Sequence, residues 1–284
     1  MDAPPPQEDC RPFVAIARLM AEAGVHVPQI LAQDLERGFL LLSDLGTTTY
    51  LEALNGDSAD ALFGDALDAL IRWQLASRPD ILPLYDEPLL RRELDLFPTW
   101  YLQRHLGVEL DAAQRSELET VFRLLVSSAL AQPRVFVHRD YMPRNLMLSD
   151  PNPGVLDFQD AVLGPISYDV VSLFRDAFIS WEEARVLDWT IRYWEKARAA
   201  HLPVRQDFAE FYREFEWMGL QRHLKVLGIF ARIRYRDGKA GYLEDTPRFV
   251  GYARACCVRY AALTPLLGLF DRFERRAATV GYNF

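Results

Sequence analysis

The spacing of apolar residues predicts a helix, then a hairpin, then a mostly helical chain interrupted by one short β-rich region. Over 8–23, Phe13, Ile16, Ala17 and Met20 recur at helical spacing, and Gly24 follows as a C-terminal stop. Past Pro28 the period shortens. Residues 29–31 form an extended run, 35–38 read as a turn, and Phe39-Leu40-Leu41-Leu42 is expected to be a buried strand running into Ser43-Asp44-Leu45-Gly46. From Thr49 to about Gln132 the pattern is helical, with one stripe made by Ala61, Leu62, Leu67, Leu70, Ile71 and Leu75 and another over 110–130. Between them lies an unusually aromatic stretch, 91–102, that holds Trp100 and Tyr101. Three short strands follow at Val135-Phe136-Val137, Leu146-Met147-Leu148 and Val155-Leu156, and everything past Tyr168 reads as helices. The change at Gly46 divides the chain into 1–45, a partial small lobe, and 46–284, a mainly helical lobe, which is an α+β architecture.

Composition narrows the possibilities. The 284 residues are half hydrophobic and carry a formal charge of −8, which suits a globular protein with a sizeable core. That charge argues against a nucleic-acid or anionic-membrane partner, since both need clustered Lys and Arg. Met1-Asp2-Ala3-Pro4-Pro5-Pro6 is neither cationic nor followed by an apolar run, so no signal peptide is expected. The most apolar stretch, 260–270, is broken by Pro265 and is too short to span a bilayer. Three cysteines, Cys10 and the neighbours Cys256 and Cys257, give no disulfide framework and no metal-ligand spacing, which fits core residues in a reducing cytoplasm.

The chemistry concentrates in Val137-His138-Arg139-Asp140-Tyr141-Met142-Pro143-Arg144-Asn145 and Leu156-Asp157-Phe158-Gln159-Asp160. An Asp followed five residues on by Asn, and then an Asp-Phe after the next strand, is the pattern of a kinase catalytic loop. Leaving one strand, Asp140 can orient an incoming hydroxyl and take its proton. Asn145 opens the next strand and Asp157 ends the one after, so both can offer hard oxygens to the Mg²⁺ that accompanies ATP. A His-Arg-Asp triplet alone is a weak signal; strand context, the placed Asn and the Asp-Phe together are a strong one. His138 is expected to hold the loop through backbone hydrogen bonds.

With Gly164-Pro165 and Tyr168-Asp169 downstream, this segment resembles the aminoglycoside phosphotransferase and choline kinase group, which have a protein-kinase-like fold. Within that group, Met1-Asp2-Ala3-Pro4-Pro5, Leu41-Leu42-Ser43-Asp44-Leu45-Gly46 and the run from Trp217 to Lys225 are similar to bacterial kinases that act on N-acetylated amino sugars. The resemblance implies ATP-dependent phosphorylation of the C1 hydroxyl of N-acetylmuramate or N-acetylglucosamine, giving a sugar 1-phosphate in peptidoglycan recycling. It also implies that Leu42, Ser43, Asp44 and Leu45 form the hinge whose backbone pairs with adenine. Asp169 either braces the catalytic loop or caps the helix that follows.

The chain departs from the family pattern at its start. No glycine-rich hairpin precedes the first helix, and the lysines are Lys196, Lys225 and Lys239, all beyond the catalytic loop. Met1-Asp2-Ala3-Pro4-Pro5 resembles the end of a third small-lobe strand, so the expectation is a chain that begins inside that lobe, exposes a hairpin edge and binds ATP weakly. For the sugar, Trp217 and Gln221 share a helix face at i and i+4 with Glu216 and Arg222 at its margins, while Trp100, Tyr101 and Glu93 form a second set. Arg222 and Arg144 are candidates for the carboxylate of N-acetylmuramate. Packing between helices is the competing account of both aromatic groups. Competing functions are a kinase of another small alcohol or aminoglycoside, and a non-catalytic pseudokinase.

Overall fold

The first helix, α1 (Arg11–Glu22), carries Pro12 in its first turn, where a missing N–H removes no hydrogen bond, and buries Phe13, Val14, Ile16, Ala17, Leu19 and Met20 along one face. It stops at Gly24. That residue has φ of 73°, and the amides of Gly24 and Val25 turn back to the carbonyls of Ala21 and Met20. The structure is a computed structural model; it describes residues 1–3, 5, 8–239 and 241–280, and for 274–280 the backbone alone.

After α1 come the strands β1 (Ile30–Asp34) and β2 (Phe39–Leu42), paired antiparallel with a bulge between Ile30 and Ala32. Along β2, Ala3 and Leu40 donate to the carbonyls of Gly38 and Met1. The strand expected to be buried is covered on one face only: Leu40 is 4% exposed, whereas Phe39 is 49% and Leu41 61% exposed. An alternation of period two, hidden by four successive apolar letters, is the reason.

The chain folds as two compact units, Met1–Leu84 with Pro133–Tyr212, and Tyr85–Gln132 with Arg213–Phe284. In the first, the short α2 (Tyr50–Ala53) starts with a capping box between Thr49 and Glu52. Next, α3 (Ala59–Leu75) buries Leu62, Phe63, Ala66, Leu67, Leu70, Ile71 and Trp73. Ala61 and Leu75, expected in its apolar stripe, are exposed, because the buried face turns toward Phe63, Ala66 and Trp73 instead.

Later in the chain, β3 (Arg134–Val137) pairs antiparallel with β6 (Val162–Pro165), and β4 (Leu146–Met147) with β5 (Gly154–Val155). The sequence did not signal β6, since Val162-Leu163 is too short to show a period and Gly164-Pro165 reads as a breaker. Partners on both sides make it a strand: β3 on one, and on the other the carbonyl of Pro83, which accepts from the Leu163 amide at 2.8 Å. The unit continues with α6 (Tyr168–Phe174), fully buried, and α7 (Glu183–Ala199).

The second unit contains α4 (Glu87–Leu94), a wide π-helical segment (Phe97–His105), α5 (Ala112–Leu130), α9 (Thr246–Arg259), α10 (Thr264–Val280), and most of the long α8 (Phe208–Asp237). Gly228 of α8 lies against Leu96. A Cβ there would fall 2.4 Å from the Leu96 carbonyl carbon, so only glycine permits this approach. All three cysteines are buried thiols. No helix among the described residues is long and apolar enough to cross a membrane.

Candidate active site

Strand β3 ends at His138, and the loop that follows is built on backbone hydrogen bonds. The Asp169 carboxylate, fully buried at the start of α6, accepts the amides of His138 at 2.7 Å and Arg139 at 3.0 Å. Two amides aimed at one anion turn the chain sharply. Arg139 accordingly sits at φ of 77°, a conformation non-glycine residues seldom adopt. Asp169 therefore braces the loop through these two amides and does not cap α6, whose N-cap is Ser167.

His138 is completely buried. Its Nδ1 accepts the Asp140 amide at 3.2 Å, which leaves the proton on Nε2 to be donated to the Leu156 carbonyl at 3.0 Å. Burial pushes the imidazole below its usual pKa, so it stays neutral. This one ring ties the Asp140 loop to the strand that ends at Asp157. Next to it, the Tyr141 hydroxyl donates to the Ala66 carbonyl at 2.7 Å and anchors the loop to α3; its burial raises the phenol pKa.

The β4–β5 ribbon brings the remaining residues together. The amide of Leu156 donates to the Asn145 carbonyl at 2.9 Å, extending the pairing by one step and setting Asn145 beside Asp157. Asn145 Nδ2 then donates to the Asp140 carbonyl at 2.9 Å and to Asp157 Oδ2 at 3.3 Å. Gln159 Nε2 donates to Asp157 Oδ1 at 2.8 Å, a contact the sequence reading missed, for which the only signal was a Gln two residues past the Asp. Asp157 has φ of 63°, and the next residue, Phe158, is fully buried with its ring 4.7 Å from that of Phe13 in α1. Gly154, which opens β5, leaves room for Leu45 and Ser149, each 2.9 Å from where a Cβ would stand. Asp140 is half-buried, and its carboxylate takes no hydrogen bond from any described residue.

In the segment proposed as the hinge, Leu42 closes β2, the Ser43 amide donates to the Gln29 carbonyl at 2.9 Å and Asp44 accepts the Gly46 amide at 2.9 Å. Thr48 then accepts from the Leu148 amide at 2.9 Å, so the run from Ser43 to Thr49 joins the hairpin to the β4 ribbon. Arg144, on the same loop as Asp140, is exposed, with its guanidinium 5.0 Å above the ring centre of Phe178.

The other acceptor candidates belong to the second unit. Glu216 is fully buried and accepts from Arg259 at 2.5 Å and Tyr260 at 2.7 Å. Trp217 meets the Tyr260 ring edge-to-face at 5.8 Å, and its indole nitrogen is buried without a partner among the described residues. Gln221 donates to Glu93 at 3.3 Å and keeps a buried Oε1 without a partner among the described residues; Glu93 also binds Lys225 at 2.8 Å and the Tyr85 hydroxyl. Arg222 is buried, and Trp100 sits half-buried on the π-helical segment. Thus Gln221 and Glu93 come together, as do Glu216 and Trp217 around Tyr260.

A loop held by the buried Asp169, Asn145 and Asp157 side by side across a short ribbon, and Asp140 with a carboxylate that no described residue engages make up a candidate phosphotransferase site. The model of the phosphotransferase enzyme family matches residues 1–208, and the chain belongs to that family. Its curated relatives include the N-acetylmuramate/N-acetylglucosamine kinase of Pseudomonas putida, 60% identical over 277 residues, or 98% of this chain and 82% of that one. The kinase of the same name from Pseudomonas aeruginosa is 62% identical over 94% of this chain and 79% of its own length, and that of Neisseria meningitidis 53% identical over 95% and 81%. Among solved structures, a choline/ethanolamine kinase family protein from Mesorhizobium loti superposes with a TM-score of 0.59 at 16% identity, covering 90% of this chain and 81% of its own. The ADP-bound aminoglycoside phosphotransferase APH(2″)-Ib gives 0.57 at 15% identity, covering 85% and 81%. These two show the shared fold.

Proposed function

We propose that this chain transfers the γ-phosphoryl group of ATP to the C1 hydroxyl of N-acetylmuramate and N-acetylglucosamine, forming sugar 1-phosphates in cytoplasmic peptidoglycan recycling. The observation that carries the reading is the placement of Asn145 against Asp157 across the β4–β5 ribbon, with the Asp140 carboxylate unengaged on the connecting loop. The names of relatives at 53–62% identity support the choice of sugar.

In this reading Asp140 orients the sugar hydroxyl and accepts its proton as the new P–O bond forms. Asn145 and Asp157 would hold Mg²⁺. Their fit is physical: one carboxamide oxygen and one carboxylate make a small hard donor set, suited to an ion that keeps waters and phosphate oxygens as its other ligands. When bound, Mg²⁺ offsets the charge of the triphosphate. Gln159 and the Asn145 amide fix the Asp157 carboxylate through one oxygen each, and the second lone pairs stay available. Leu42, Ser43, Asp44 and Leu45 are the proposed adenine hinge, at the end of a small lobe spanning 1–45 that precedes the helical lobe of 46–284. The proposed acceptor contacts are Arg144, Trp100, Glu216, Trp217, Gln221 and Arg222.

The test is ³¹P NMR of the chain with ATP, Mg²⁺ and N-acetylmuramate, run beside Asp140→Asn. A sugar 1-phosphate resonance whose rate of appearance falls roughly 10²- to 10⁴-fold in the variant, with an unchanged melting temperature, is the expected result. ADP formed without that resonance would reject the sugar as acceptor. Equal rates in both proteins would remove Asp140 from its role as base.

A further inference from the structure

Arg144 occupies the short turn Pro143–Asn145, four residues past Asp140 and directly before Asn145. Its guanidinium makes no hydrogen bond or ion pair with any described residue; it lies over the Phe178 ring, 5.0 Å from the ring centre. Phe178 is itself half-buried, with its amide donating to Asp176 Oδ2 at 3.3 Å. A cation–π contact spends none of the guanidinium's N–H donors, whose fork geometry matches a carboxylate. The ring contact also favours one placement of the side chain before any ligand arrives, which lowers the ordering cost of binding.

The surroundings make this cation useful for one kind of acceptor. Asp140 and Asp157 place two carboxylates at the site, and the whole chain carries −8, so an anionic acceptor approaches against repulsion. A positively charged acceptor would gain nothing from Arg144. Chemically, N-acetylmuramate is N-acetylglucosamine with a lactyl ether on C3, and the lactyl carboxylate is the sole charge that distinguishes them.

Resting on the kinase reading above, we propose that Arg144, steadied by Phe178, binds this carboxylate and sets the preference between the two sugars. Arg144 is thus a specificity residue and Phe178 a positioning residue.

The test is binding, which needs no turnover. N-acetylmuramate and N-acetylglucosamine are each titrated calorimetrically into the wild-type chain, Arg144→Gln and Arg144→Lys. Arg144→Gln should weaken N-acetylmuramate about 10- to 100-fold more than N-acetylglucosamine, as expected for the loss of a charged hydrogen bond. Arg144→Lys, which keeps the charge but not the fork, should fall between. Partial unfolding scales the apparent Kd of both sugars by the same factor, so it cannot imitate a changed ratio. An unchanged ratio, both sugars weakened alike, or a wild type that binds neither would overturn the proposal; equal weakening accompanied by weaker ATP binding would assign the guanidinium to phosphate instead. Failure of the kinase reading shows elsewhere, as absent phosphoryl transfer in the ³¹P experiment while the ratio still shifts.

Discussion

Asp169 in the first unit and Glu93 in the second are both buried carboxylates, at 0% and 5% exposure, yet they engage different kinds of donor. Asp169 accepts two backbone amides, those of His138 and Arg139. Glu93 binds the side chains of Tyr85, Gln221 and Lys225, the last two more than a hundred residues away in sequence. An anion held by backbone shapes the chain that holds it, which is how Asp169 keeps Arg139 in a left-handed turn and aims the loop bearing Asp140. An anion held by side chains ties helices together but leaves their backbones regular. Function and stability are therefore supported by the same chemical group used in two ways.

The strongest test of this contrast is Lys225→Met. Removing the cation from a buried carboxylate should cost about 3–5 kcal/mol, seen as a lower denaturant midpoint. The double variant Glu93→Gln/Lys225→Met should cost clearly less than the sum of the single changes, because no buried charge is left behind. Asp169 differs in kind, since the amides of His138 and Arg139 that it accepts belong to the backbone and no side-chain substitution deletes them. Additive costs at Glu93 and Lys225 would break the comparison.

A smaller effect belongs to pH. Burial holds the His138 imidazole below its ordinary pKa, so the unfolded chain binds the proton first as pH falls. The stability from the neutral ring is complete above about pH 6.5 and declines below it, by up to about 1.4 kcal/mol per pH unit until the folded ring also titrates. Melting curves of the wild type and His138→Gln at pH 7.5 and 5.5 should converge at the lower pH. Parallel curves would mean that the ring is not held neutral.

The smallest effect sharpens the contrast within the second unit. Arg272 and Glu117 form an ion pair at 2.6 Å between side chains that are 45% and 41% exposed. Arg272→Ala should change stability by no more than about 1 kcal/mol, and less in high salt. A loss as large as that at Lys225 would show that burial is not what separates the two pairs.

Residue types and local spacing alone were enough to foresee that Asp140, Asn145 and Asp157 come together. Asp140, Asn145 and Asp157 lie within eighteen residues of one another on consecutive strands and loops, so the spacing that makes the pattern readable is the spacing that closes it in space. The first helix and its stop at Gly24 were legible for the same reason, as was the hairpin, because a period or a turn is a local property. What sequence could not decide was whatever depends on a distant partner. Strand β6 exists through β3 and Pro83, the exposed face of β2 through what covers only its other side, and the Gln159 contact through the backbone turn at Asp157. The acceptor candidates show it most clearly: Glu216 and Trp217 are adjacent letters, but the fold gives Glu216 to Arg259 and Tyr260 and leaves Trp217 a buried nitrogen without a partner among the described residues. Local backbone geometry follows from a few neighbouring residues, whereas a side chain's partner is chosen by packing among segments that meet only once the chain has folded.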